Sequence, residues 1–194
     1  MNGTNFWPRQ RYFCLSSDDL ALVERCRGGD RRALQLLVER HQRPVFNAAF
    51  RILGNRDDAA DATQVTFLKV FEHLDSYDAK YKLFSWIYRI VVNESINQLH
   101  RSREYQALDE EQTTTVDGPE ERNAADALAR QIQASLMELQ EDYRVVIALR
   151  HFSECSYEQI GDILQLPEKT VKSRIYMARQ RLKELLEAKG VQRS

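Results

Sequence analysis

Aromatic and basic side chains alternate in one short stretch near the middle of the chain. Between residues 77 and 88, five aromatic rings lie within twelve residues, interleaved with Lys80 and Lys82 and followed by Arg89. Aromatic rings stack on unpaired bases while cations follow the phosphate backbone, so these residue types together favour binding of a single nucleic-acid strand. Any one ring taken alone is more often a core residue. The candidate contacts of this stretch and of the helix that follows it are Tyr77, Lys80, Tyr81, Lys82, Trp86, Arg89, Asn93 and Asn97.

A second pattern, near the C-terminus, indicates a helix-turn-helix. Ser156 and Gln159 have the spacing of a capping box, which starts a short helix at Tyr157. Pro167 cannot continue that helix but suits the first turn of the next one, which we expect over residues 168–187. A short helix, a tight turn and a long basic helix would place the second helix in the DNA major groove. The candidate contacts there are Lys169, Thr170, Lys172, Ser173, Arg174, Tyr176 and Arg179.

The alternative for this segment is an ordinary helical hairpin with a solvated basic face. Gly161, a small residue where the two helices would cross, favours the helix-turn-helix. Side chains near the start of a recognition helix reach base edges, so Lys172, Ser173 and Arg174 are the candidates for base contacts. Arg179 lies farther along the helix, where we expect contacts to phosphates.

The helix predicted over residues 57–74 carries apolar residues on two sides. One stripe, spaced at i, i+3, i+4 and i+7, is expected to face the core and consists of Phe67, Val70, Phe71 and Leu74. Val65 and Leu68 fall on the opposite side and would be exposed between Asp61 and Glu72. Scattered exposed apolar residues are normal on a monomer. A docking surface for another protein is the alternative.

The charge distribution separates two basic blocks. The net charge of the whole chain is −1, but residues 77–103 carry +3, residues 104–142 carry −9 and residues 144–183 carry +4. Two basic blocks held apart by an acidic one predict two separate nucleic-acid contacts. Because affinity for DNA comes mainly from neutralising phosphates, a chain this close to neutral is expected to bind DNA weakly without a larger partner.

The fold class expected from composition is all-α. The chain of 194 residues has only seven glycines and four prolines, and helix-forming residues dominate it. Apolar periodicity disappears over residues 105–123, which predicts a flexible acidic linker between two helical domains. The expected organisation is an N-terminal tail (1–17), a first domain (18–104), the linker (105–123) and a second domain (124–189). Within the first domain we expect one helix from about residue 31 and a separate one starting near Pro44.

Several function classes are not supported by the sequence. No stretch approaches 18 apolar residues, and the N-terminus has no apolar segment typical of a secretory signal. The three cysteines, an odd number without CxxC spacing, indicate thiols of a cytosolic protein. We find no Gly-rich phosphate loop, no metal-ligand spacing and no nucleophile–base pattern. We therefore expect no catalysis, no cofactor, no metal and no small-molecule substrate.

The order of these features resembles the sigma-70 family of RNA polymerase sigma factors, in its extracytoplasmic-function (ECF) group. The resemblance covers residues 20–189 and includes Trp86, Arg89 and Asn93 at the family's W-x-x-R-x-x-x-N positions. Four stretches in the family's order carry it: RGGDRRALQLLVERH, ILGNRDDAADATQVTFLKVF, LFSWIYRIVVNESINQL and SYEQIGDILQLPEKTVKSRIYMARQRL.

The resemblance implies three binding roles. The helix that starts near residue 57 would dock on a coiled coil of the polymerase clamp through Asp61, Gln64, Val65, Phe67 and Leu68. The loop 77–82 would capture a flipped base of the promoter −10 element, next to a promoter-melting helix. The helix-turn-helix would bind the −35 element and touch the polymerase flap.

The resemblance also implies a regulator. Members of this group are usually held inactive by an anti-sigma factor, often at the inner face of the membrane, and no segment of this sequence identifies that partner. The expected location is the cytoplasm.

Three positions depart from the family pattern. Val65 lies where the family commonly has an acidic residue, Gln165 where it often has glycine, and Lys169 where glycine commonly precedes Thr-Val. Promoter specificity therefore cannot be inferred by analogy.

Two other functions remain open at this point. One is a self-sufficient helix-turn-helix regulator whose first 140 residues or so bind an effector or dimerise. The other is an enzyme with an unrecognised helical active site, which no residue pattern supports. The aromatic and basic stretch favours the sigma factor, because a regulator that binds only duplex DNA has no use for it.

Overall fold

The computed structural model describes residues 18–108 and 124–191, and these residues form eight α-helices and no strand. A 3-10 turn (Leu74–Ser76) follows the third helix, and a π-helical turn (Ala148–Phe152) extends the sixth. The all-α prediction is confirmed. The helices are α1 (Asp18–Arg27), α2 (Arg31–Leu53), α3 (Arg56–Glu72), α4 (Leu83–Leu108), α5 (Ala124–Met137), α6 (Glu141–Ile147), α7 (Tyr157–Leu164) and α8 (Glu168–Ala188).

The predicted tail and most of the predicted linker lie outside the described residues. Helix α4 continues to Leu108, four residues past the expected end of the first domain at residue 104, so residues 105–108 are helical. Helix α5 begins at Ala124, where the second domain was expected to start. None of the described helices has the length and apolar character that crossing a bilayer requires. The domain boundaries themselves stay a prediction.

Helices α2 and α3 start at local signals, and α2 also ends at one. The Asp30 carboxylate accepts hydrogen bonds from the first backbone N–H groups of α2, and the Asn55 side chain does the same for α3. Gly54 ends α2 in the left-handed conformation, at φ 82°, which a residue without Cβ adopts at little cost. Helices α2, α3 and α4 then pack on one another around fully buried Leu37 and Ile87.

Helix α2 runs through Pro44 without interruption, so the prediction of a separate helix there is wrong. Proline removes one backbone donor and disfavours helix in the residue before it. At this position His41, Pro44, Val45 and Ala48 are all buried, and the Pro44 carbonyl accepts a hydrogen bond from the buried Tyr88 hydroxyl at 3.2 Å. Tertiary packing thus outweighs the local preference.

The second half of the chain contains the predicted helix-turn-helix. Ser156 and Gln159 form the capping box at the start of α7, and Pro167 immediately precedes α8. Gln165 closes α7 in the left-handed conformation, at φ 54°. A Cβ at Gly161 would lie only 2.8 Å from the carbonyl oxygen of Leu166, so the turn itself requires glycine there. Helix α8 is held by buried residues Val171, Ile175 and Ala178.

Helices α1–α4 form the first half of the structure and helices α5–α8 the second. The two halves pack directly against each other and share one core. The buried Arg144 guanidinium donates hydrogen bonds to carbonyls at the end of α5 and also to the Ile52 carbonyl of α2, at 2.9 Å. Arg51 of α2 bonds the Gln133 side chain at 2.8 Å and lies 4.2 Å from the centroid of the Phe152 ring. These contacts hold the ends of α2 and α5 together.

Candidate nucleic-acid interface

Tyr77 lies inside the segment between α3 and α4 and supports it. Its side chain is 5% exposed, its ring lies 5.3 Å from that of Trp86, and its hydroxyl donates to the Tyr81 carbonyl at 2.6 Å. Burial, with the nearby Asp19 and Asp78 carboxylates, raises the pKa of Tyr77. In this arrangement the Tyr77 ring packs against the protein, and the nucleic-acid contact predicted for it stays a prediction.

Tyr81 is the accessible ring of the segment. It is half-buried, with the Lys80 ammonium 4.9 Å and the Arg89 guanidinium 5.7 Å from its ring centroid. Lys80 and Lys82 are exposed, and Asp78 fixes the turn by accepting from the Lys80 backbone N–H at 3.0 Å. The hydrogen bond from the Lys80 side chain lowers the pKa of Asp78. One partly exposed ring among three cations is an arrangement that can stack a base and hold its phosphates.

One face of α4 continues from this segment. Asn93 and Asn97 are exposed on it, while Trp86 and Arg89 are half-buried. Arg89 is covered by the second half of the chain: its guanidinium donates to the Asp162 carbonyl of α7 at 2.5 Å, and its Nε is buried without a hydrogen-bond partner. The predicted melting surface is therefore partly occupied by the helix-turn-helix in this arrangement.

The outer face of α8 presents most of the predicted duplex contacts. Tyr176 is 62% exposed. Lys172 forms an exposed ion pair with Glu168 at 2.7 Å, and a pair of this kind contributes at most about 1 kcal/mol, so Lys172 can still meet a phosphate. The exposed members of the predicted set are Lys169, Thr170, Lys172, Ser173, Tyr176 and Arg179.

Arg174 differs from its neighbours on α8. Its side chain is 25% exposed, and its guanidinium pairs with the Asp142 carboxylate of α6 at 3.0 Å. The expectation that Arg174 reaches a base edge is not met in this structure, because the side chain is turned toward its own domain. Periodicity alone did not distinguish this position from Lys172 or Ser173.

Arg179 is positioned by a histidine. Its Nε donates to the Nε2 atom of His151 at 3.1 Å. Although His151 is exposed as a whole, desolvation of its ring, with repulsion from Arg179 and Arg150, lowers the pKa of His151 to about 4. His151 is therefore neutral near pH 7 and accepts the hydrogen bond. No signal in the sequence predicted this role for His151.

The exposed apolar residues of α3 are two of the predicted docking residues and Phe71, which the sequence assigned to the core. Leu68 is 60% exposed, and Val65 and Phe71 are each 37% exposed. Phe67 faces the core at 7% exposure, although the resemblance placed it among the docking residues. The core stripe is thus confirmed for Phe67, Val70 and Leu74 and wrong for Phe71. Asp61 and Gln64 are exposed beside the apolar residues.

Two polar contacts fix α3 on α4. Lys69 pairs with the largely buried Glu94 at 2.6 Å, and Gln98 donates to the Asp58 carboxylate at 2.9 Å. The predicted docking surface and the predicted melting surface therefore lie on two helices that are joined directly by side-chain contacts.

Comparison with known proteins gives matches over both halves of the chain. The family model of sigma-70 region 2 matches residues 37–105, and that of sigma-70 region 4 matches residues 129–182. The ECF RNA polymerase sigma factor SigW of Bacillus subtilis is 31% identical over 176 residues, which cover 84% of this chain and 94% of SigW.

Two solved structures are similar to this chain. CnrH in complex with the cytosolic domain of CnrY has a TM-score of 0.69 at 28% identity, and the match covers 88% of this chain and 97% of CnrH. The sigma factor RpoE in complex with the anti-sigma factor NepR from Bartonella quintana has a TM-score of 0.68 at 29% identity, and the match covers 79% of this chain and 96% of RpoE.

Proposed function

The chain belongs to the extracytoplasmic-function (ECF) group of the sigma-70 family, and we propose that it acts through the three surfaces described above. An ECF sigma factor directs core RNA polymerase to promoters and opens the DNA there for initiation of transcription. One observation supports the roles proposed for the DNA-binding residues: each of the two matched regions has an exposed face with basic and aromatic side chains. One lies on the loop before α4, in region 2, and the other on α8, in region 4.

In this proposal the outer face of α8 binds the −35 element as duplex DNA. Lys172, Ser173 and Tyr176 lie near the start and middle of the helix, where side chains reach base edges in the major groove. Lys169 and Arg179 are placed to contact phosphates on either side.

The loop before α4 captures an unpaired base of the −10 element. Tyr81 is the stacking ring, and Lys80, Lys82 and Arg89 neutralise the backbone of the captured strand. Strand separation is then driven by binding, because a captured base cannot return to its duplex. Replacing a stacking ring by alanine costs about 1–3 kcal/mol of binding free energy, and we expect Tyr81 to fall in that range.

The apolar patch on α3 docks the chain on core polymerase. Val65, Leu68 and Phe71 would pack on the coiled coil of the clamp, with Asp61 and Gln64 at the rim. The helix-turn-helix would contact the flap. Delivery by polymerase also compensates for the near-neutral charge of the chain, which limits its own affinity for DNA.

Promoter binding requires the two halves to separate. Elements about 16 base pairs apart are separated by roughly 55 Å, at about 3.4 Å per base pair. Arg89 of α4 instead touches Asp162 of α7 directly. The arrangement described here is therefore proposed to be a closed state, which gives way to an open one on polymerase.

An anti-sigma factor is the proposed regulator of this chain. RpoE was solved with the anti-sigma factor NepR, and CnrH with the cytosolic domain of CnrY, and both resemble this chain along most of their length. By that similarity we place the protein in the cytoplasm, where such a factor could hold it at the inner face of the membrane. The protein acts by binding and needs no catalytic group, cofactor or small-molecule substrate.

Run-off transcription tests the proposal. Purified core polymerase is incubated with a library of promoter fragments, with and without the full chain. We expect starts that depend on the chain and share two common elements upstream. No stimulation, together with tight duplex binding by the chain alone, would replace the sigma-factor proposal with a helix-turn-helix regulator.

A further inference from the structure

The segment between α3 and α4, residues 73–82, contains few regular hydrogen bonds of its own. A 3-10 turn covers Leu74–Ser76, and only one turn-type backbone bond follows, from the Tyr81 N–H to the Asp78 carbonyl at 3.1 Å. Under the function proposed above, this segment captures a base, and we call it the capture loop. A loop that must present Tyr81 to a strand needs support from elsewhere, because ordering a free loop on binding weakens affinity.

That support comes from Arg27, the last residue of α1. Its guanidinium donates to the Leu74 carbonyl at 3.1 Å, to the Asp75 carbonyl at 3.3 Å and to the Tyr77 carbonyl at 2.8 Å. A second bond to Leu74, from Nε, measures 3.3 Å. The remaining terminal nitrogen bonds Glu24 at 2.8 Å, which orients the guanidinium, and the side chain is 27% exposed.

The three loop carbonyls are all bonded by one terminal nitrogen, Nη2, while Nε adds a second bond to Leu74 and Nη1 bonds Glu24. A lysine ammonium has three donors on a single nitrogen, so it could keep part of the Nη2 contacts but not those of Nε and Nη1. The carbonyls of Leu74 and Asp75 follow the end of α3, where helix carbonyls carry partial negative charge, so a cation is favourable there. The Tyr77 carbonyl accepts a hydrogen bond from Arg27, and the Tyr77 hydroxyl donates one to the Tyr81 carbonyl.

We propose that Arg27 is a positioning residue for capture of the −10 strand. It acts through the capture loop and does not itself touch DNA. It fixes the Leu74–Tyr77 backbone, and Tyr77 passes that constraint to Tyr81. This inference rests on the function proposed for the loop and adds a residue of α1 that neither the family motif nor the aromatic pattern includes.

The test measures coupling between Arg27 and the captured base. Core polymerase is assembled with the full chain and titrated with a forked fragment of a promoter recovered from the run-off library, with its non-template −10 strand unpaired. An abasic site is moved through that strand, and the position whose loss weakens binding most marks the captured base. Arg27→Ala is then compared with the native chain on the intact and the abasic fragment.

On the intact fragment we expect Arg27→Ala to bind about tenfold more weakly, the usual effect of losing hydrogen bonds from a charged group. On the abasic fragment the difference should shrink to less than about twofold, the range within which uncoupled sites add. On the intact fragment, the affinity of Arg27→Lys should lie between that of the native chain and that of Arg27→Ala. Arg25→Ala is the matched control: it removes an arginine of the same helix that bonds Asp30 and not the loop, and should bind as the native chain does on both fragments.

An equal loss on both fragments would overturn the inference, since Arg27 would then serve only to stabilise the domain. Full binding by Arg27→Ala on the intact fragment would overturn it as well. If the native chain shows no sensitive position in the abasic scan, the role of the loop fails first and this inference with it. That result is distinct from the other two because it appears before any variant is made.

Discussion

The Arg144 guanidinium of α6 donates a hydrogen bond to the Ile52 carbonyl of α2, 92 residues earlier in the chain, at 2.9 Å. Three further bonds from the same side chain satisfy carbonyls of Leu136, Met137 and Leu139. Two helix ends, whose last carbonyls have no partner within their own helix, thus share one buried cation, which is 4% exposed. Because both ends carry partial negative charge, the contact stabilises the closed arrangement of the two halves.

Replacing Arg144 should open and destabilise the chain. In Arg144→Met the buried carbonyls lose their donor, and we expect the free energy of unfolding to fall by about 3 kcal/mol or more. Urea unfolding measures the loss, and small-angle X-ray scattering should show a larger radius of gyration. Arg181→Met is the control, since Arg181 is 61% exposed and pairs only with Glu184, so its effect should stay within about 0.5 kcal/mol. Equal stability of the two variants would contradict this account of Arg144.

Leu68 and Phe67 are neighbours with opposite roles. Leu68→Asp should abolish binding to core polymerase while the free energy of unfolding changes by less than about 0.5 kcal/mol, because Leu68 is 60% exposed. Phe67→Ala should instead destabilise the fold by about 3 kcal/mol, because the ring is buried. Competition for polymerase and urea unfolding separate the two effects. Undiminished binding by Leu68→Asp would place the docking surface elsewhere.

Lys172 and Arg174 should differ in their effect on duplex binding. Lys172→Ala should weaken binding of the −35 duplex by polymerase with the full chain, and reduce the slope of log affinity against log salt by about 1 if one phosphate contact is lost. Arg174→Ala should change affinity and slope less, because that guanidinium already pairs with Asp142. Fluorescence anisotropy over a range of salt concentrations measures both. A larger effect of Arg174→Ala would mean that the Asp142 pair breaks when DNA binds.

The burial of His41 leads us to expect that the folded chain loses stability in mild acid. Burial lowers its pKa to about 4, its Nε2 has no hydrogen-bond partner, and the charges of Asp19 and Arg40 act on it in opposite directions. With an ordinary pKa near 6.5, the unfolded chain binds this proton between about pH 6.5 and 4 while the folded chain does not. Stability is therefore complete above pH 6.5 and falls as the pH drops, by about 2 kcal/mol at pH 5 from this residue alone.

Urea unfolding of the native chain and of His41→Leu at pH 7 and pH 5 tests this. The variant should lose less stability between the two pH values than the native chain does. His73→Gln is the control, since His73 is exposed, and it should follow the native profile. A variant profile parallel to that of the native chain would assign the acid sensitivity to other groups.

Most helix starts and both segments predicted to contact DNA followed from patterns within a few residues. Asp30, Asn55 and Ser156 cap helices by bonding backbone groups two or three positions away, and the spacing of Ser156 and Gln159 predicted one of these starts. The turn between α7 and α8 was equally local, because Pro167 ends one helix and suits the next. The all-α class and the helix-turn-helix needed no knowledge of distant contacts.

Whether an individual side chain is buried or exposed depended on contacts with residues far along the chain. Pro44 stays within a helix because Tyr88 and the surrounding core hold it there. Tyr77 is buried against Trp86 while Tyr81 remains accessible, and periodicity could not separate two tyrosines four residues apart. Phe71 is likewise more exposed than Phe67 on the same helix.

Contacts between segments that are distant along the chain had no signal in the sequence. Arg144 and Arg27 appear there as ordinary arginines, yet each binds backbone carbonyls that only folding brings within reach. Backbone carbonyls are present at every residue, so no residue type marks those that will lack a partner at a helix end. Local hydrogen bonds and apolar spacing therefore settle which helices form, whereas the packing of distant helix ends settles which cations hold them together and which rings remain free to meet DNA.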